Sequence, residues 1–120
     1  MSINGWCAWC AVFLLSVPGV SSNSRDLRLV EAVKNKNLAV VRSLLKQHVD
    51  VNTPQADGST PLAWAAHWDD LETADLLIRA GANVNAANDY GVTPLSLACD
   101  NANAAMVEKL LKGRANPNAI

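Results

Sequence analysis

Few side chains in this sequence have the types and spacing that chemistry requires. The two histidines, His48 and His67, lack the short paired spacing of zinc ligands. Cys7 and Cys10 have the Cys-x-x-Cys spacing of thiol redox sites, but both lie inside an apolar run. We therefore interpret this pair as part of an apolar leader, which leaves a thioredoxin-like site as the less favoured alternative.

The remaining candidates also suit structural roles. Asp69, Asp70 and Asp100 could act as paired carboxylates, but we expect them at helix ends as solvated charges. Cys99 takes the place of a small helical residue, so we expect it to be buried rather than nucleophilic. No glycine-rich phosphate loop is present. The sequence predicts a protein that is not an enzyme and needs no cofactor, metal or small-molecule substrate.

Charge and composition limit the possible partners. Lys and Arg total 10 and Asp and Glu total 11, so the net charge is −1. Basic residues are scattered among acidic ones, whereas a nucleic-acid binder normally carries a basic stripe. Half of the residues are apolar but only 5% are aromatic, which predicts a core of Leu, Val and Ala in closely stacked helices. A chain of 120 residues forms one domain at most.

The elements that must position these side chains recur along the chain. Thr60-Pro61-Leu62 returns as Thr93-Pro94-Leu95, a step of 33 residues. Two further series keep the same step: Leu44, Leu77 and Leu110, and Asn52, Asn85 and Asn118. A fixed period of this length indicates a repeat architecture in which each unit packs only against its neighbours.

These segments resemble the ankyrin repeat. The family's Thr-Pro-Leu and following Ala are matched at 58–66 and 91–99, and its Gly-Ala-Asp-Val-Asn-Ala at 81–86. The resemblance implies an all-α ankyrin-repeat solenoid of about three helix-turn-helix repeats joined by hairpin loops, following an N-terminal apolar leader. The domain is predicted over residues 23–120, with repeats at about 25–56, 55–87 and 88–120.

Two departures from the family pattern are present, and the second of them predicts weaker first and third repeats. The histidine of the family's Thr-Pro-Leu-His is replaced by Ala63 and Ser96. The helix-ending glycine is present as Gly81 in the second repeat, but His48 and Arg114 take its place in the others. A left-handed conformation costs a non-glycine residue about 1 kcal/mol.

The first 22 residues predict a signal peptide. They carry no charged side chain, and an apolar run from Trp6 to Val17 is followed by Pro18-Gly19 and small polar residues. The run is shorter than the roughly 20 residues of a spanning helix. We expect cleavage after Ser22 or Gly19 and export to the periplasm or the cell exterior. The protein is cytoplasmic if the leader is not a signal peptide, and it meets a membrane only through an uncleaved leader.

The outer face of the third repeat, including Leu97, Val107 and Leu111, has no successor in the sequence to cover it. The end of a solenoid needs a polar cap. We therefore expect the last repeat to be followed by further repeats that this chain lacks. Binding or self-association through this uncapped face is the alternative.

The family resemblance also implies a site, since ankyrin repeats bind partner proteins on a concave surface of hairpin tips and first-helix ends. By position, the predicted protein-binding residues are Lys34, Asn35, Ala56, Asp57, Ser59, His67, Trp68, Asp89, Tyr90, Val92, Asp100 and Asn101. Trp68 and Tyr90 are the expected anchors, because aromatic side chains dominate binding energy. Partial burial against the next repeat is the alternative for Trp68, and we expect Trp64 in the core.

We therefore expect a non-catalytic module that binds an unidentified partner protein on its concave face. Because Asp57, Asp89 and Asp100 outnumber Lys34, a partner with some basic character is favoured. The alternative is that the chain is the accessory N-terminal ankyrin portion of a larger exported enzyme or sensor.

Overall fold

The computed structural model describes residues 26–119, and in this part of the chain three pairs of antiparallel α-helices follow one another. The helices are Arg28–Lys34 (α1), Leu38–Lys46 (α2), Pro61–His67 (α3), Leu71–Arg79 (α4), Pro94–Asp100 (α5) and Ala104–Lys112 (α6), and a 3-10 turn follows at Pro117–Ala119. No strand occurs within residues 26–119, so the predicted all-α solenoid is confirmed. The predicted signal peptide at 1–22 lies outside the described residues. None of the helices between residues 26 and 119 is long and apolar enough to cross a bilayer.

Side-chain caps fix where the first helix of each pair begins. Thr60 and Thr93 cap α3 and α5, and each is followed by proline at the first helical position, where the missing N–H loses nothing. Ser96 completes a capping box by donating to the Thr93 carbonyl at 2.8 Å and accepting from its N–H at 2.9 Å. Ser96 thus supplies local hydrogen bonds at the position where the family has histidine. Leu27 precedes α1 and makes no such cap.

The second helices are capped by a matching series. Asn37, Asp70 and Asn103 accept from backbone N–H groups three residues onward at 3.3, 3.1 and 3.0 Å. Asp70 also accepts from the Thr73 hydroxyl at 2.6 Å. Asp70 therefore has a structural role that the sequence analysis did not assign, because its carboxylate caps the start of α4.

Left-handed residues close the turns at the same two positions of every repeat. Gly81 ends the second helix pair at φ 97°, and His48 and Arg114 take this conformation at φ 57° and 75°, as predicted. The turn between the helices of each pair contains a second left-handed series, at Lys36, Asp69 and Ala102. The sequence pattern did not reveal that second series, since none of its members is glycine.

The core lies between successive repeats. α3 packs against both α1 and α5, and α4 packs against both α2 and α6. Ala65 and Ala66 are fully buried and let the first helices approach closely, while Leu77 is fully buried in α4. Leu, Val and Ala dominate this core, as the composition indicated.

Asparagines join neighbouring hairpin loops. The side-chain oxygen of Asn52 accepts from the backbone N–H of Asn83 at 2.7 Å, and that of Asn85 accepts from the N–H of Asn116 at the same distance. Each amide group also donates to a carbonyl of the next repeat, at 3.4 and 3.2 Å respectively. The 33-residue asparagine series therefore ties each repeat to the following one.

Equivalent positions of the second and third repeats differ in burial. They are Ala66, Ala74 and Ile78 in the second repeat, and Cys99, Val107 and Leu111 in the third. The two alanines are fully buried beneath the third repeat, whereas Cys99 and Val107 are half-buried and Leu111 is 42% exposed. The prediction that Cys99 is buried was wrong, because no described residue covers that face. We call Cys99, Val107 and Leu111 the third-repeat face.

Because Ala102 has a left-handed conformation, its replacement by glycine should stabilise the protein, which is unusual for glycine. We expect Ala102→Gly to raise the free energy of unfolding by about 0.5–1 kcal/mol, because alanine at φ 54° is strained and glycine is not. Ala105→Gly is the matched control, since Ala105 is also exposed but lies inside α6, and it should lower the value by about 1 kcal/mol. Urea denaturation measures both. A loss of stability in Ala102→Gly would contradict the backbone conformation described here.

Candidate protein-binding surface

The hairpin tips form a linked row along one side of the solenoid. In the first hairpin, the N–H of Gln55 donates to the Ser59 carbonyl at 2.9 Å, and the N–H of Asn88 makes the equivalent bond to Val92 at 3.0 Å. The two tips meet where the N–H of Asp89 donates to the carbonyl of Asp57 at 2.9 Å. Glycine suits position 58 because its φ is +84° and because an added Cβ would stand 3.1 Å from the backbone nitrogen of Asp89.

Four of the predicted residues line a single cavity between the second and third repeats. The cavity has a volume of about 240 Å³ and is lined by Asp57, Ser59, Ala63, Trp64, His67, Asn88, Val92 and Leu97. We call it the concave pocket. Two of its members were assigned elsewhere from the sequence. Trp64 is half-buried, so it packs against the core and also lines the pocket, and Leu97 lies here rather than on the outer face of the third repeat.

An aromatic and cationic cluster adjoins the pocket. The ring of His67 stands edge-on to those of Trp64 and Trp68, with centroids 5.4 and 4.8 Å apart. The ammonium group of Lys34 lies 5.5 Å from the centroid of the Trp64 ring, and that of Lys36 lies 4.1 Å from the Trp68 ring. Both distances are within the range of cation–π attraction. Two lysines of the first repeat therefore place their positive charges beside the aromatic side chains of the second repeat.

The two expected aromatic anchors differ in how firmly they are held. Trp68 is 37% exposed, and its indole N–H donates to the carbonyl of Lys34 at 3.1 Å. Tyr90 is 81% exposed, and the one bond it makes within residues 26–119 is from its backbone N–H to Asn88. Trp68 combines partial burial with an accessible edge, whereas the side chain of Tyr90 projects into solvent.

The other predicted residues are also placed at the hairpin tips and first-helix ends. Lys34, Asn35, Ala56, Asp89 and Asp100 are exposed, but they lie outside the concave pocket.

Asn101 is already engaged within the protein. Its side-chain amide lies within hydrogen-bond distance of the carbonyls of Ala66 and His67 and of the Asp69 carboxylate, at 3.2, 3.1 and 3.2 Å. These bonds link the end of α5 to the turn after α3. Asn101 therefore joins two repeats, a role that the sequence pattern did not indicate.

Charged groups are distributed unevenly between the two sides of the solenoid. The second helices are joined by ion pairs between Arg42 and Glu72 and between Asp75 and Lys109. Among the described residues, none of the charged side chains in the predicted site forms an ion pair. The backbone N–H of Ser59 donates to the Asp57 carboxylate at 2.9 Å and lowers the pKa of that group, which favours its ionised form at neutral pH.

A metal site is not apparent in the described part of the chain. Between residues 26 and 119, no three His, Cys, Asp or Glu side chains are grouped so that they could hold a metal ion. The geometry found here instead provides exposed aromatic rings, unpaired charges and a small cavity on a rigid support.

This architecture defines a helical repeat protein with an exposed loop-and-helix surface. The model for ankyrin repeats in three copies matches residues 29–120, and the chain belongs to the ankyrin-repeat family. Proteins of this family generally act as interaction modules. The resemblance identified from the Thr-Pro-Leu motifs is therefore confirmed.

Similar proteins occur in distant organisms. Zygote-specific protein 3 of Chlamydomonas reinhardtii is 38% identical over 113 residues, which cover 93% of this chain and 30% of that protein. Rabankyrin-5 of Mus musculus is 34% identical over 84% of this chain, and the mitochondrial disaggregase of Homo sapiens is 31% identical over 72%. The matched segments make up 9% and 12% of those two proteins. The chain thus spans less than a third of the length of these relatives.

The different anchoring of the two aromatic side chains predicts different stability losses. Trp68→Ala should lower the free energy of unfolding by about 1–2 kcal/mol, since it removes a hydrogen bond and a cation–π contact. Tyr90→Ala should change it by less than about 0.5 kcal/mol, as expected for an exposed side chain. Urea denaturation of both variants and the wild type tests this. Equal losses would show that one of the two rings is misplaced.

Proposed function

We propose that this chain is a non-catalytic module that binds a partner protein on its concave surface, made by the hairpin tips and the first-helix ends. The observation that carries the proposal is the contrast between the two sides of the solenoid. Among the described residues, the charged side chains of α2, α4 and α6 form ion pairs with the exception of Lys46, whereas those of the predicted site form none. A partner can therefore pair with the site charges without first breaking an ion pair.

Rigidity supports the same proposal. The hairpin tips are held by backbone hydrogen bonds, and the asparagine series fixes each loop on the next repeat. A surface that is already ordered loses little conformational entropy when a partner binds. Trp68 and Tyr90 add aromatic area that such a surface uses for anchoring.

The test compares variants of the two sides. Tyr90→Ala removes an 81% exposed aromatic side chain from the concave surface, and Arg79→Ala removes a 77% exposed side chain from α4. Proteins captured by the immobilised wild-type chain are quantified by mass spectrometry, and the affinity of each is then measured for both variants. We expect a genuine partner to bind Tyr90→Ala about tenfold more weakly or worse, and Arg79→Ala as well as wild type. A partner that loses affinity only for Arg79→Ala would place binding on the second helices.

A second candidate function follows from the third-repeat face. The chain would be an accessory ankyrin portion of a larger exported enzyme or sensor, and a further helix pair would cover Cys99, Val107 and Leu111. The supporting observation is that Ala66 and Ala74, on the equivalent face of the second repeat, are fully buried by the third repeat, although Ile78 is only half-buried. The same apolar surface favours self-association when the chain is alone. Export depends on the leader at residues 1–22, which stays a prediction.

A fused fourth repeat tests this second candidate. Appending an ankyrin repeat after Ile120 should raise the free energy of unfolding by the energy of one new interface, a gain that Leu111→Lys should largely remove. Val40→Lys is the matched control, because Val40 is 40% exposed and Leu111 is 42% exposed, but Val40 lies at the opposite end. Light scattering of the unextended wild type and both variants reports self-association. If the fused repeat adds no stability, the third-repeat face is not a stacking surface.

A further inference from the structure

The concave pocket has the size and lining for one long cationic side chain. We propose that it receives a single arginine or lysine side chain of the partner protein, with Asp57 as its counter-ion. This inference rests on the proposed function, since it names the chemistry that the concave surface would recognise. The sequence favoured a partner with some basic character, and this proposal assigns that preference to one cavity and to the carboxylate of Asp57.

The volume limits what the pocket can hold. At about 240 Å³ it is smaller than the roughly 300–1,000 Å³ of small-molecule sites. Residues of both hairpin tips line it, and the Asp89 N–H joins these two tips by its bond to the Asp57 carbonyl. A cavity of this size on an exposed rigid rim suits one inserted side chain rather than a free metabolite.

The lining is divided between apolar and polar groups. Ala63, Trp64, Val92 and Leu97 supply apolar surface, which suits the methylene stem of a long side chain. Arginine and lysine bury such stems while keeping the charged head near water. An aliphatic side chain would fill the apolar part but would leave the carboxylate of Asp57 without a counter-ion.

The end of the pocket formed by Asp57 carries the charge needed to bind a cation. Asp57 forms no ion pair with any residue between 26 and 119, and its carboxylate is oriented by the Ser59 N–H. Asp89 lies beside it at the neighbouring tip and adds a second negative charge. Two basic residues lie near the carboxylates: His67 lines the pocket, and the ammonium group of Lys34 lies 5.5 Å from the Trp64 ring and opposes the negative field. Lys34 comes from the first repeat and is not a pocket residue, so Asp57 remains the charged group nearest to the cavity.

The chain itself shows how to remove this charge without disturbing the turn. Asp57 accepts from the N–H two residues onward at 2.9 Å, and asparagines make the same bond at positions 83 and 88, at 3.0 and 2.9 Å. Asp57→Asn should therefore keep the hairpin while losing the charge. Asp50→Asn is the matched control, because Asp50 makes the same bond to Asn52 at 2.9 Å but does not line the pocket.

The experiment titrates the full 120-residue chain with blocked amino acids and follows the Trp64 indole and Leu97 methyl resonances by NMR. The probes are the N-acetyl methylamides of arginine and lysine, of citrulline as the neutral match to arginine, and of norleucine as the apolar stem. We expect saturable shifts for arginine and lysine with dissociation constants of about a few millimolar, which is typical of so small a ligand. The citrulline and norleucine probes should bind the wild-type chain about threefold more weakly or worse than the arginine probe. The arginine probe should bind Asp57→Asn about threefold more weakly or worse than it binds wild type, whereas its affinity for Asp50→Asn should match that for wild type.

Two results would overturn the cation pocket. One is equal shifts from arginine, citrulline and norleucine, which would show an apolar cavity without charge preference. The other is an absence of saturable shifts with any probe. Neither result bears on the capture test with Tyr90→Ala, since Tyr90 does not line the pocket. Conversely, arginine binding without any captured partner would support the pocket and count against the proposed function.

Discussion

Burial between repeats is the constraint on which this structure depends. Each helix pair has too little apolar surface to fold alone, so its buried face exists only when a neighbour covers it. Ala66 and Ala74 show the effect, since both are fully buried at positions whose third-repeat counterparts stay partly open. The period of 33 residues is the consequence, because every contact must recur in register for the next repeat to fit. The linked row of hairpin tips and the stability of the protein therefore come from the same stacking.

The fold could be predicted because its signals are local. Thr60 and Pro61 begin α3 through a cap and a fixed backbone angle, and Gly81 ends the second pair through a conformation that glycine adopts easily. Such signals act within a few residues and repeat at a fixed step. Lys36, Asp69 and Ala102 were missed although their signal is also local. Backbone hydrogen bonds at the ends of α1, α3 and α5 set their left-handed conformation, and none of the three is the glycine that usually marks such a helix end.

The candidate site could be predicted only in outline. Position within the repeat placed Asp57, Ser59 and Val92 on the concave side, but the pocket also needs Trp64 and Leu97. Both carry apolar side chains on helices, and sequence alone cannot separate a core residue from one that also lines a cavity. Asn101 shows the converse, because an exposed amide at a helix end looks available until its bonds to the preceding repeat are known.

The bond between neighbouring hairpin tips has an evolutionary consequence. It runs from the backbone N–H of Asp89 to the backbone carbonyl of Asp57, so it uses neither side chain and should persist with any residues that keep the turn, as is expected for Asp57→Asn. The side chain of Tyr90, next to this bond, is exposed and does not take part in packing between repeats. Mutations at these tips can thus change the exposed surface while leaving the stack intact, whereas glycine at position 58 cannot be exchanged in the same way. Variation of this surface is thereby separated from the constraints of folding, so single substitutions can alter its shape and charge while the repeats stay packed.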